Sequence, residues 1–257
     1  MSVMWVSAES ILALTLREVA AIHGRTGLGY FWAVLEPVLT TSVICLILGF
    51  IIKSPPIGDS FVLFYATGLM PFLFVIDAAQ KTGQSLAFSR PLLHLPRISF
   101  LDAILARFGL AIVTHALIWG LVLAAIKAAG VDLRFEPFEM LLAWGVAAFF
   151  AFGLGCFICL ASGMLLAWPR IWAILVKPLF FASGVFFLID DLPDPFREYF
   201  LWNPLSQVIS LFRAAHIEGY SAELVSVFYI FLCSSVLGIL GLAGLLQTHR
   251  RIVEEWV

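Results

Sequence analysis

Charge is scarce in this chain: Asp, Glu, Lys and Arg make up 12% of its 257 residues, against roughly a quarter in a soluble domain. Hydrophobic residues account for 62% and the mean hydropathy is +1.03. A water-soluble fold is thereby excluded, and the composition is that of an integral membrane protein. The net charge of -2 gives no footing for a nucleic-acid partner. Cysteine is sparse as well, and Cys45, Cys156, Cys159 and Cys233 all lie in apolar runs. The Cys156/Cys159 pair lacks the second pair or nearby histidine that a zinc site needs, so these read as small packing residues. Glu9, Arg17 and Glu18 interrupt the first apolar stretch, so no cleavable signal peptide is expected. No GxxxxGK[ST] phosphate cradle occurs, nor HExxH, GxSxG or a carboxylate cluster with metal-ligand spacing. The chain is therefore expected to carry no ATP site, metal or cofactor of its own and to act as a conduit driven by another subunit. The only internal repeat is a tripeptide, Ala-Ser-Gly at 161–163 and 182–184, too short to suggest an inverted-repeat secondary transporter.

What is present is an ordered series of apolar segments. Within 8–30, Ile11, Leu12, Thr15, Leu16, Val19 and Ile22 share one helical face opposite Ser10, Ala13, Arg17 and Ala20. That pattern predicts an interfacial helix, too polar to span. Gly27 and Gly29 allow a bend at the membrane surface, where the rings of Tyr30 and Trp32 are favoured. Glu36 followed by Pro37 suits a helix N-terminus, so the first span is predicted to start there and run over 38–52.

Further spans are predicted over 61–76, kinked by Pro71 and ending at Asp77, Gln80 and Lys81, then over 101–126, 140–168, 171–189 and 224–246. Pro193 and Pro195 break the acidic turn after the fifth span, and 190–219 is predicted to hold short re-entrant helices that dip into the outer leaflet. The fold class is thus an all-α, six-span membrane domain over 1–257. Arg17, Arg25, Lys81, Arg90, Arg97, Arg170, Arg250 and Arg251 fall on one side. Most acids, Asp59, Asp132, Glu136, Asp190, Asp191 and Asp194 among them, fall on the other. By the positive-inside rule both termini are cytoplasmic.

Three groups of residues are candidates for function. The segment 85–99 offers a partner a short helix bounded by Pro91 and Pro96, rimmed by Arg90 and Arg97 and displaying Leu92, Leu93 and Leu95; an ordinary basic loop is the alternative. Arg107 and Lys177 lie one to two turns inside spans, where a cation is costly. Each could snorkel, Arg107 could pair with Asp102, or both could bind an anionic group entering from inside. His115 reads as a hydrogen-bonded packing residue. Trp172, Phe180, Phe181, Phe186 and Phe187 crowd the fifth span, either as lipid-facing and core aromatics or as a sliding surface for sugar rings.

Several stretches together resemble the ABC-2 type permeases that export capsular polysaccharide in Gram-negative bacteria: Leu16-Arg17-Glu18, Gly24-Arg25-Thr26-Gly27-Leu28-Gly29-Tyr30, and Trp32-Ala33-Val34-Leu35-Glu36-Pro37. Supporting them are the 90–96 loop, Ser183-Gly184-Val185-Phe186-Phe187, and Leu201-Trp202-Asn203-Pro204-Leu205 with Arg213 behind it. Related permeases for O-antigen and teichoic acid usually carry asparagine before the proline, so Glu36 favours the capsule branch. The resemblance covers nearly the whole chain. It implies a homodimer in the bacterial inner membrane, bound to two ATP-binding cassette subunits that hold the ATP and magnesium. It also implies that 90–97 is the coupling helix, that the cargo is a lipid-linked anionic polysaccharide, and that a periplasmic co-polymerase and an outer-membrane channel continue the path. On that basis a headgroup route past Arg25, Tyr30, Trp32, Glu36, Arg107, Lys177, Phe180 and Phe181 is expected. Two alternatives stand beside it: an exporter of O-antigen, teichoic acid, lipid or drug, and a membrane enzyme acting on lipid-linked sugars.

Overall fold

The most apolar stretches of the chain coil into helices that pack around one of their number. The computed structural model describes residues 3–23, 29–51, 55–93 and 98–255, and among these every regular element is helical. In order they are α1 (Val3–His23), α2 (Gly29–Ile51), α3 (Phe61–Gly83), α4 (Ser85–Leu93), α5 (Phe100–Ala128), α6 (Pro137–Met164), α7 (Trp168–Phe181), α8 (Phe196–Leu201), α9 (Pro204–His216) and α10 (Val227–Glu255). Among the described residues, four helical stretches are long and apolar enough to cross a membrane: Phe61–Leu93, Phe100–Ala128, Pro137–Met164 and Val227–His249.

α3 is the centre. Leu63 to Met70 are all buried, and α2, α5, α6 and α9 pack around it. The chain enters it through Ser60, whose hydroxyl accepts from the Leu63 amide at 3.3 Å. α5 starts on a capping box, in which Ser99 and Asp102 each accept from the other's backbone amide. Arg107 pairs with Glu18 rather than with Asp102. α6 and α10 cross closely. A methyl on Gly153 would run into the backbone and hydroxyl of Ser234, which itself donates to the Phe149 carbonyl at 2.5 Å.

Several predicted boundaries move. Glu36-Pro37 does not start a helix, because α2 begins at Gly29 and carries Pro37 inside it. Leaving the helix in an apolar environment would strand more backbone groups than the one bond proline forfeits. α3 likewise runs past Asp77 and Lys81 to Gly83, since those two side chains neutralise each other one turn apart. Pro91 lies within α4 rather than bounding it. α10 continues through 247–255 beyond the predicted basic stop, and His249 packs against Phe100 with ring centres 4.8 Å apart.

The predicted fifth span, 171–189, is the largest change. α7 stops at Phe181, and its 14 residues rise roughly 21 Å, short of a bilayer core. Gly184 turns the chain at a φ of +75°, and the following carbonyls are gathered by Arg213. Its guanidinium donates to the carbonyls of Gly184 (2.7 Å), Val185 (2.7 Å) and Phe187 (2.8 Å), and lies 4.1 Å over the Phe64 ring. Only a glycine at 68 lets α3 come so close, because a Cβ there would sit 2.9 Å from both Arg213 and the Val185 carbonyl. Tyr220 secures the far end of the same loop by donating to Asp190 at 2.6 Å. Burial first, and that bond second, push the Tyr220 phenol up to about 12, so it remains a donor at neutral pH.

In the 190–219 region two short helices form, as the sequence suggests. Asn203, part of the predicted interruption, caps α9: its side chain accepts from the Leu205 amide at 3.0 Å and donates to the Ala182 carbonyl at 2.9 Å. Replacing Arg213 with methionine leaves three carbonyls without their donor and is expected to cost about 3 kcal/mol or more. Gly68→Ala should cost roughly 1 to 3 kcal/mol through overpacking at the same place. Thermal unfolding of the purified chain in detergent checks both, and unchanged midpoints would contradict this account of the loop.

Candidate functional site

Ionisable groups inside apolar helices are the residues to follow, since each is expensive unless paired or used. Four of them meet around one cavity. α2 supplies Glu36 and Thr40, α3 supplies Leu73, Asp77 and Lys81, and α5 supplies Thr114, His115 and Ile118, around a volume of about 430 Å³. Lys81 Nζ lies 2.7 Å from Asp77 Oδ2, and His115 Nε2 lies 2.9 Å from the same oxygen. An ionised carboxylate only accepts, so the bond places the histidine proton on Nε2. His115 is buried against the Phe74 ring, 5.4 Å away centre to centre, whereas Glu36 on the opposite wall is exposed. The Asp77 carboxylate therefore joins α3 to α5 and leaves α2 facing them across the gap.

Among the described residues of the expected headgroup route, Glu36 lines the cavity. Arg25 lies outside the described residues, as do Leu95, Pro96 and Arg97 of the coupling segment; Tyr30 falls in the first turn of α2. Trp32 is exposed and edge-on to Phe31. Lys177 is exposed on α7. Phe180 packs on Phe72 and Phe186 at 5.0 and 5.1 Å, and Phe181 is 64% exposed.

Arg107 is buried and employed elsewhere. Its Nε is 3.0 Å from Glu18 Oε1 on α1, a charge contact rather than a well-directed hydrogen bond. Its Nη1 donates to the Gln84 carbonyl at 3.2 Å, and the guanidinium lies 4.4 Å over Phe88. Arg17 approaches that ring too, at 5.2 Å, and donates to the Phe88 carbonyl at 3.4 Å. Ser85, Leu86 and Ser89 bury the inner face of α4, Leu92 and Leu93 are half-buried, and Phe88 and Pro91 are exposed. The short helix between Gln84 and residue 94 is thus clamped to α1 and α5 by two arginines. Arg90 is half-buried on the same helix.

The sequence reads Asp77 and Lys81 as the end of a span and His115 as a hydrogen-bonded packing residue; the structure gives His115 such a bond, and puts all three on one cavity. Their signal was there: two opposite charges four apart in an apolar run, and one histidine in the middle of the next span. Reading Asp77 and Lys81 as the end of a helix hid it.

Breaking the Glu18–Arg107 pair from one side tests whether it holds α1 in place. Glu18→Gln strands a buried cation and is expected to cost about 3 to 5 kcal/mol, while the paired change Glu18→Leu with Arg107→Met should recover much of that. Thermal midpoints of the three purified chains decide it, and equal losses in the single and double variants would contradict the pairing.

Comparison with known proteins draws on the same regions. The model of the ABC-2 type transporter family matches residues 9–217, which include α4 and all the walls of the cavity. The capsule polysaccharide export inner-membrane protein CtrC of Neisseria meningitidis serogroup B is 32% identical over 232 residues, covering 90% of this chain and 88% of that protein. The polysialic acid transport protein KpsM of Escherichia coli is 28% identical over 93% of each chain. The capsule polysaccharide export inner-membrane protein BexB of Haemophilus influenzae is 28% identical over 92% of this chain and 90% of its own. With a family match over most of its length and relatives aligned nearly end to end, the chain belongs to the ABC-2 type transporter family.

Proposed function

We propose that this chain is the inner-membrane permease subunit of an ATP-driven exporter of capsular polysaccharide. The observation that carries the reading is the near-full-length similarity to proteins named for capsule export and polysialic acid transport. These are transport proteins, so the chain is assigned a transport role, and the membrane-enzyme alternative loses its ground. ATP and magnesium are held by a separate cassette subunit, whose hydrolysis supplies the work.

The mechanism follows from how α4 is attached. α4 leaves α3 after the single residue Gln84 and is clamped by Arg107 and Arg17 to α5 and α1. A cassette subunit pressing on its exposed Phe88 and Pro91 would move α3 and α5 together, the two helices that Asp77 and His115 already join. α2 is tied to neither through those charges, so displacement changes the width of the cavity between them. We assign coupling to this helix and the residues that continue it, Arg90 to Arg97.

Two copies of the chain form the path, with α2 and the exposed flank of α7, Lys177 and Phe181 included, facing it. Six membrane crossings, counting α2 and α7 with its following loop, put both termini in the cytoplasm and α8 and α9 at the periplasmic side. The cargo is a lipid-linked anionic polysaccharide, handed on to a periplasmic co-polymerase and an outer-membrane channel. Exposed Leu12 and Leu16 give α1 an apolar face for the membrane surface.

Leu92→Asp combined with Leu93→Asp puts two charges on α4 beside Phe88 and Pro91, the residues on which the cassette would press. The expected result is loss of the cassette subunit from the affinity-purified complex, with the permease still extracted at its normal level. Unchanged co-purification would remove α4 from the coupling role.

A further inference from the structure

The cavity walled by α2, α3 and α5 has chemistry that the route for an anionic headgroup does not use. Two carboxylates, Glu36 and Asp77, face one ammonium, Lys81, which is already bonded to Asp77 at 2.7 Å. The Nε2 proton of His115 is committed to that carboxylate as well. One N–H of Lys81 and the Nε2 proton of His115 are thus committed to Asp77, and both carboxylates keep acceptor capacity: the lone pairs of Glu36, and those of Asp77 not taken by Lys81 and His115. An incoming phosphate or carboxylate would meet two carboxylates against one ammonium, a net negative charge. A hydroxyl would meet charge-assisted acceptors.

The remaining lining is apolar. Pro37, Leu73 and Ile118 supply carbon surface beside the polar groups. A sugar ring has the matching division, with C–H faces above and below and a rim of hydroxyls. At about 430 Å³ the cavity falls in the range of small-ligand sites.

We propose that this cavity is a subsite for one sugar residue of the transported polymer, holding its ring hydroxyls on Glu36 and Asp77 and its C–H face on Pro37, Leu73 and Ile118. The inference rests on the reading of the chain as a polysaccharide permease. Asp77 is preorganised by Lys81 and His115, whereas Glu36 comes from the wall they do not hold. Movement of α2 against α3 and α5 would part the two acceptors and release the ring, so the subsite binds each residue without trapping the chain.

The test places a photoreactive p-benzoylphenylalanine at Thr40, inside the cavity, or at Val113, which is 55% exposed on the outer face of α5. Each variant is expressed as the whole exporter in cells making the polymer. After irradiation, a permease adduct that stains for glycan and collapses on digestion of the polymer is expected from Thr40 and not from Val113. Adding Glu36→Ala should lower the Thr40 yield about tenfold, and Glu36→Gln should lower it less. If the Thr40 probe prevents assembly with the cassette subunit, the probe at Ile118 on the facing wall carries the same test.

Adducts at both positions or at neither, in cells that still display polymer, overturn the subsite and leave the export reading standing. So does a Thr40 yield that Glu36→Ala leaves unchanged. A strain deleted for this chain supplies the separate check: surface polymer at the normal level there overturns the export reading and the subsite with it.

Discussion

Arg107 sits two turns into an apolar helix, where its charge must be met from within the protein. Glu18 meets it from α1, the Gln84 carbonyl from the α3–α4 junction, and Phe88 offers a ring face from α4. One cation thus gathers four elements at one junction: the N-terminal helix, the short helix α4, the central helix before it and α5 after it. Because a charge left alone there is so costly, this junction has one low-energy arrangement, and force applied to α4 has a defined place to go.

The same demand shapes the other polar positions. Arg213 collects three carbonyls from the loop after α7, fixing 184–187 against α3 where the helix itself has ended. Asp77 is shared between Lys81 on its own helix and His115 on the next. Glu36 differs, because no ion pair to it is formed among the described residues and it faces a cavity. The paired groups build a rigid frame of α1, α3, α4 and α5, and the unpaired carboxylate stands on the helix outside that frame.

Much of this was legible in the sequence. Hydropathy gives the long helices α3, α5, α6 and α10, since twenty or more apolar residues leave few other solutions. The acidic turn and Asn203-Pro204 correctly signal short helices there, and the order of the Arg25–Pro37, Ser183–Phe187 and Leu201–Leu205 motifs signals the family. Local rules failed where a tertiary partner overrode them. Pro37 reads as a helix start, but a lipid environment penalises a broken helix more than a missing hydrogen bond. Asp77 and Lys81 read as a boundary, but each cancels the other within α3. The end of α7 at Phe181 could not be seen without Arg213, which is 28 residues away from the Val185 carbonyl that it binds. Arg107 reads as a cation that snorkels, pairs with Asp102 or binds an anion, and its partner Glu18 lies on a helix that sequence alone assigns to the membrane surface.

The central claim is that this chain moves polysaccharide with work supplied by a partner. The most direct test uses inverted inner-membrane vesicles from a strain that makes the polymer but lacks the chain, with permease and cassette subunit restored together or singly. The account predicts that adding ATP carries lipid-linked polymer into the vesicle lumen, protected from added glycan hydrolase, only when both are present. Equal protection without the permease, or without ATP, would contradict it.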